Sequence, residues 1–320
     1  MKKFFVFLIF ILVGFGVFFW SGIYLPKDFY SEEEKIFLVE KDQNVFQIGE
    51  NLEKEGLIKN RYFFDFYVLI KGTQRKLQAG EYKLSLSMGI SEIAQKIISG
   101  DIAKITVTIP EGFTVKQIEE RLGFDLPGEN LEGFLFPGTY QFPINVKGEE
   151  VVARMKENFD RKLTTDLREE IERQGKTIFE IVTMASLIEK EVRPKEVKKI
   201  EGKKIKVNKL VSGILWKRLE NNIPLQVDAT IAYILNGEGW AFDEMRREIA
   251  AARDIDDPYN TYKYPGLPPG PICNPGLESI LTAVYPKGSE YWYYLSTPES
   301  ETIFSKTLEE HNITKAKYLK

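Results

Sequence analysis

The chain contains one histidine, His311, and one cysteine, Cys273, among 320 residues. A single histidine cannot supply the two or three imidazole ligands of the common catalytic zinc centres. A lone cysteine forms neither an internal disulfide nor a two-cysteine redox motif. A Ser-His-Asp or Cys-His site would have to use His311 close to the C-terminus, so none is expected, nor is a metal or an organic cofactor. Carboxylate is plentiful, with 47 Asp plus Glu against 44 Lys plus Arg. Acid–base chemistry here is therefore expected to be carboxylate chemistry.

Charge is also missing locally. From Phe4 to Trp20 there is no charged side chain, and apolar character continues through Ile23, Tyr24 and Leu25. About 20 apolar residues in a helix cross a bilayer core. A cleaved signal peptide has a shorter apolar region and small residues before its cut, whereas Phe18, Phe19 and Trp20 are bulky. Residues 1–25 are read as an uncleaved single-pass anchor, with Trp20 and Tyr24 in the aromatic belt of the far interface. Lys2 and Lys3 precede the span and Glu32, Glu33 and Glu34 follow it, which keeps the N-terminus cytoplasmic and exports the remainder. Without the two lysines, 42 basic residues face 47 acidic ones. That balance argues against nucleic acid as a partner.

Three segments repeat one pattern of extended run, polar turn and short helix, beginning at Ile36, Glu81 and Ile105. Their helices carry Val45, Ile48 and Leu52, then Ile90, Ile93 and Ile97, then Val115, Ile118 and Leu122 at i, i+3 and i+7, a single packing face. The pattern fits either a duplicated β–α packing unit or a glycan-binding module of the LysM type. The expected fold class is α+β, with an anchor over 1–25, a LysM-like β–α subdomain over 33–104 and a larger α+β domain over 105–320. In that last part, helices are expected near 148–161, 164–174, 178–192 and 209–221, and another from Ala229. Residues 195–209 are lysine-rich and read as a solvated loop. Six of the fifteen prolines fall in residues 256–276, which makes that stretch ordered loop. A strand is expected over Tyr291–Ser296 and a final helix over the last ten residues.

The helix at 178–192 carries the strongest chemical signal. Thr177 and Glu180 form a capping box, and Pro194 stops the far end. At 100° per residue, Ile178, Ile181, Val182, Ala185, Ile188 and Val192 share a stripe, with Thr183 and Ser186 opposite or beside it. Glu189 falls inside the stripe and Glu191 at its edge. A buried carboxylate is costly when ionised, and the proton it then retains is what a general acid needs. A buried ion pair, with Arg218 as the candidate partner, or a slight rotation of the helix that exposes Glu189 would also explain the pattern. Pro258–Tyr264 is a loop rich in rings and amides, suited to stacking on sugar faces, although its tyrosines could be core. Gln226, Asp228 and Thr230 form another polar set, although Asp228 or Thr230 could simply cap a helix.

Several strings then resemble one family. They are Glu111-Gly112, Leu131-Glu132-Gly133-Phe134-Leu135-Phe136-Pro137, Ala185-Ser186-Leu187-Ile188-Glu189-Lys190-Glu191, Pro224–Thr230, Pro258–Tyr262, Gly266–Ile272 with Asn274-Pro275-Gly276, and Phe304–Thr307 with Glu310-His311. In order, and behind an anchor, they resemble the membrane-anchored endolytic murein transglycosylases, the YceG-like family. The resemblance implies cleavage of peptidoglycan between N-acetylmuramic acid and N-acetylglucosamine without water, leaving a 1,6-anhydro end. It implies Glu189 as the catalytic acid and base, with Gln226, Asp228, Tyr259, Asn260 and Tyr262 lining the sugar groove and Glu132 supporting the site. Implied partners are glycan strands, the cytoplasmic membrane and peptidoglycan synthases of the penicillin-binding type. Departures from the family pattern are Lys217 in place of asparagine, a longer lysine-rich stretch, and Thr302 in place of histidine. A water-using muramidase with the same acid, or a non-catalytic wall-binding scaffold, would share many of these features.

Overall fold

The structure is a computed structural model that describes residues 2–191, 197–200, 203–236, 242–297 and 301–319. The chain is α+β and divides into two compact units, residues 1–106 with 141–146 and residues 107–140 with 147–320. Val192 and Pro194, expected at the end of the 178–192 helix, lie outside the described residues.

In the first unit, helix α1 (Lys2–Tyr24) is followed by β1 (Glu34–Val39), α2 (Val45–Lys54), α3 (Arg61–Ile70), β2 (Gly80–Ser85) and α4 (Ile90–Ser99). β1 and β2 pair antiparallel from Glu34 opposite Ser85 to Val39 opposite Gly80. The cross-strand partners Phe37 and Tyr82 are fully buried, together with Ile48, Leu52, Ile93 and Ile97 from the expected helix faces. Asn44 and Gln47 make a reciprocal capping box on α2, and Asn60 accepts from Tyr62 N at the start of α3. α3 breaks the repeat. Its sequence, RYFFDFYVLI, is apolar on nearly every side, so no polar stripe marks it as a helix. The C-terminal turns of α1 pack against α3 and α4. Gly22 makes this possible, since a Cβ there would meet the Phe63 ring at 2.6 Å.

β3 (Lys104–Ile109) and β4 (Gly138–Pro143) form a two-stranded sheet, with α5 (Val115–Leu122) between them in sequence. In the second unit, α6 (Gly148–Lys162) and α7 (Thr165–Arg173) lead to α8 (Ile178–Glu191). The Thr177–Glu180 capping box is present, with Glu180 accepting from Thr177 N at 2.8 Å and Thr177 Oγ1 accepting from Glu180 N at 3.1 Å. α8 does not have one buried stripe, because every residue from Ile181 to Ile188 is buried, including Thr183 and Ser186. It packs against α7 and against three later helices, α9 (Val207–Glu220), α10 (Asp228–Ile234) and α12 (Leu277–Val284). Of Thr183 and Ser186, Ser186 is hydrogen-bonded, whereas Thr183 Oγ1 has no hydrogen-bond partner among the described residues. Ser186 donates to Thr183 O at 2.7 Å and accepts from Ile272 N at 3.0 Å.

The lysine-rich stretch is not a loop where it is described. β5 (Val197–Ile200) and β6 (Lys203–Lys206) pair antiparallel and run directly into α9. Extended strands splay the like charges, and two of them find carboxylates: Lys206 meets Glu278 at 2.7 Å and Lys198 meets Glu301 at 3.1 Å. Beyond α10 lie α11 (Phe242–Ala251), the proline-rich loop, α12, the hairpin of β7 (Tyr293–Ser296) and β8 (Thr302–Ser305), and α13 (Leu308–Tyr318).

Candidate active site

Two residues along an α-helix turn it by about 200°, so the glutamates that end α8 leave on nearly opposite faces. Glu189 is half-buried, and its Oε2 accepts from Gly276 N, the N-cap of α12, at 2.9 Å. Gly112 lies against its Cγ, and Glu111 is its charged neighbour. Burial, then Glu189 and Glu278, push the Glu111 carboxyl above its ordinary range. Arg218 does not pair with Glu189. Its guanidinium donates to Leu225 O at 2.8 Å and to Gln226 Oε1 at 3.4 Å.

Glu191 turns instead into a cavity of about 560 Å³, where Arg218, Gln226, Asp228, Tyr262 and Tyr294 are also found. Tyr294 donates to Glu191 Oε2 at 2.9 Å, and Ala229 N donates to Oε1 at 3.4 Å. Burial is the main cause that pushes the Glu191 carboxyl up to about 7, and the negative charge of Asp228 adds to it. The two hydrogen bonds favour the charged form and hold it back. Tyr262 donates to Asp228 Oδ1, and the Arg253 guanidinium lies 4.9 Å from the Tyr262 ring centre. Asp228 is thus the first residue of α10 and not its cap. Thr230 donates to Val227 O at 2.8 Å.

The backbone around this wall is fixed by bonds between the 226–230 and 259–262 stretches. Gln226 N donates to Thr261 O at 3.0 Å and Val227 N to Thr261 Oγ1 at 3.0 Å. Gln226 itself has φ 55°, a left-handed conformation uncommon for a residue with a side chain. Asn260 is buried and fully committed within its loop. Its amide donates to Arg253 O and Ile255 O at 2.8 Å each, and its Oδ1 accepts from Tyr262 N at 3.0 Å. It shapes the loop and has no amide group to offer a sugar.

Glu132 and Tyr259, also expected at the groove, line a second cavity of about 350 Å³ with Thr114, Tyr233 and Asp257. Glu132 accepts from Val115 N at 3.1 Å and from Asn274 Nδ2 at 3.1 Å. The rings of Tyr233 and Tyr259 are 5.1 Å apart. α10 joins the two cavities in sequence, with Asp228 and Ala229 at the first and Tyr233 and Ile234 at the second. The expected residues thus separate into three groups. Gln226, Asp228 and Tyr262 share a cavity with Glu191, Glu132 and Tyr259 share another, and Glu189 and Asn260 line neither.

Sequence reasoning missed Arg218 and Tyr294 as parts of the wall and ranked Glu189 above Glu191. The spacing of the two glutamates already put them on opposite faces, but a helix buried all round does not reveal which face meets the cavity. His311 also lines it, stacked on Tyr293 with ring centres 5.1 Å apart. Burial, with Lys315 and Arg218 nearby, lowers its pKa to about 4, so its ring is neutral at neutral pH. Among the described residues, no group of three or more His, Cys, Asp or Glu side chains could hold a metal ion.

Comparison with known proteins adds a second line of argument. The YceG-like family profile matches residues 37–317. An endolytic murein transglycosylase of Bacillus subtilis is 31% identical over 314 residues, covering 86% of this chain and 82% of that protein. Another, from Streptococcus pneumoniae, is 28% identical over 92% of this chain, which spans 60% of its length. A crystal structure of a YceG-like protein from Listeria monocytogenes superposes with a TM-score of 0.55 at 29% identity, covering 89% of this chain and 100% of that one.

Proposed function

Since the chain belongs to the YceG-like family, we propose that it is an endolytic lytic transglycosylase of peptidoglycan, with Glu191 rather than Glu189 as its acid and base. Protonated Glu191 gives its proton to the oxygen that links N-acetylmuramic acid C1 to the next N-acetylglucosamine, and the C1–O bond breaks. The substrate's own N-acetyl group stabilises the electron-poor C1. The Glu191 carboxylate then takes the proton of the muramic 6-hydroxyl as that oxygen bonds to C1. No water is consumed, the enzyme regains its proton, and a 1,6-anhydro end remains. One acid–base carboxyl suffices because the nucleophile belongs to the substrate, whereas inverting hydrolases need a second carboxylate to activate water.

The observation that carries this reading is the Glu191 carboxyl, held near pH 7 in a cavity walled by Gln226, Asp228, Tyr262 and Tyr294. A general acid works best when its pKa lies near the working pH. Asp228 places a second carboxyl group beside it in the same cavity, suited to a cationic transition state. Glu132 and Tyr259, along α10, would take a more distant sugar. The β1-α2-α3-β2 order is compatible with a LysM-like glycan contact. α1, with an apolar span 21 residues long from Phe4 to Tyr24, would anchor the chain so that the body works outside the cytoplasmic membrane, near peptidoglycan synthases.

Digestion of purified sacculi, with product masses read by mass spectrometry, tests the reading. Wild type should release muropeptides one water lighter than hydrolysis products. Glu191→Gln should lose activity by about 10²- to 10⁴-fold, and Glu189→Gln should retain most of it. The reverse ranking would return the role to Glu189, and equal release by wild type and both variants would remove both glutamates from the reaction. Products of hydrolytic mass would make the protein a muramidase, and no release by any of the three would leave only a wall-binding scaffold.

A further inference from the structure

α3 carries its apolar residues on the side a soluble helix leaves to water. Tyr62, Phe66, Leu69 and Ile70 are 66%, 41%, 45% and 68% exposed. They fall at i, i+4, i+7 and i+8, one face of the helix. The single carboxylate of α3, Asp65, points the other way and is buried. This outward face adjoins the apolar span. The Phe63 ring lies 5.3 Å from Phe18 and 5.4 Å from Phe19, and Phe66 lies 4.8 Å from Phe19.

Depth can be counted along α1. The 21 residues from Phe4 to Tyr24 extend about 31 Å at 1.5 Å each, against a hydrocarbon core of about 30 Å. Phe18 and Phe19 precede Tyr24 by six and five residues, so their ring contacts fall roughly 8 Å inside that end. Helices lying in a membrane interface bury their apolar face by about 5–10 Å. Exposed basic residues flank the face, with Lys59 before α3 and Lys71, Arg75 and Lys76 after it, as phospholipid phosphates require.

We propose that α3 is an interfacial helix, its Tyr62–Ile70 face seated in the leaflet at the Tyr24 end of α1. This rests on α1 spanning the bilayer, and it gives the first unit a second hold on the membrane. One span alone leaves an attached domain free to swivel. A span with an interfacial helix packed against it gives that unit a defined face toward the lipid.

The full chain can be tested in vesicles of phosphatidylethanolamine and phosphatidylglycerol. Cys273 is buried, so a nitroxide label goes to an introduced thiol. Labels at Leu69→Cys and Ile70→Cys should show a several-fold higher ratio of oxygen to nickel-chelate accessibility than a label at Lys41→Cys, approaching that at Val13→Cys. Equal ratios at positions 69, 70 and 41, with position 13 protected, overturn the proposal. Water accessibility at position 13 would remove the anchor reading and this inference with it. Spin–spin broadening at position 69 that grows with the protein-to-lipid ratio would assign the face to a second copy of the chain, which also overturns it.

Discussion

With Glu191 as the proposed acid, the hydrogen bond it accepts from Tyr294 should shape the pH dependence of activity. The phenol hydrogen bond favours the charged carboxylate against burial and Asp228. Tyr294→Phe removes that bond, so the Glu191 pKa should rise and the alkaline limb of the pH–rate profile should move to higher pH. In wild type, activity should fall above about pH 7, as the acid loses its proton. Stability follows the same proton. The folded protein binds it more tightly than the unfolded chain, so its contribution is complete below the ordinary value of 4.5 and is lost as pH rises through about 7. The whole shift corresponds to about 3 kcal/mol as an upper figure. Glu191→Gln should therefore melt at a temperature that rises relative to wild type between pH 5 and pH 8, which thermal scans on the detergent-solubilised chain can measure. That any acid–base group was expected to be a carboxylate was legible from one histidine and one cysteine. Which of two glutamates meets the cavity was not, because that depends on what packs against each face.

At the scale of elements, α8 could be read from the sequence by its capping box and apolar content. The burial of every residue from Ile181 to Ile188 could not, since Thr183 and Ser186 look like a polar face until Ile272 and the other partners close over them. Asn274 makes a similar long-range connection. Its Oδ1 accepts from Leu135 N at 2.8 Å, while its Nδ2 donates to Phe113 O at 3.0 Å and to Glu132 at 3.1 Å. Asn274→Ala leaves a buried backbone N–H unpaired and removes one of the donors to Glu132, and should cost about 2 kcal/mol or more. Denaturant unfolding would show it, and activity on long glycan strands should fall more than activity on short ones if the Glu132–Tyr259 cavity takes a distant sugar. The β5–β6 hairpin was hidden by its composition. A lysine run reads as solvated loop, and only Glu278 and Glu301, far along the chain, reveal where its charges go.

For the molecule as a whole, the apolar start and charged remainder imply an anchored body. In the structure the last turns of α1 are also part of a folded core, through Ile23, Gly22 and the Phe18–Phe19–Phe63–Phe66 rings. Deleting residues 2–25 should therefore do more than release the protein from the membrane. It should expose Phe63 and Phe66, lower hydrogen-exchange protection across α3 by about tenfold or more, consistent with the loss of a 1–2 kcal/mol contact, and promote self-association. Hydrogen-exchange mass spectrometry and sedimentation of the truncated and full chains would measure both effects.

The sequence by itself determined the α+β class, the apolar span, the repeated β–α pattern and the family, because composition, local periodicity and ordered motifs are properties of neighbours in the chain. The tertiary structure decided which glutamate occupies the cavity, that Asn260 serves its loop, that Glu132 and Tyr259 stand apart from Gln226, Asp228 and Tyr262, and that α3 turns apolar residues outward beside the span. Each of those depends on contacts between residues distant in sequence, and burial, electrostatic shifts and hydrogen-bond partners exist only once those contacts have formed.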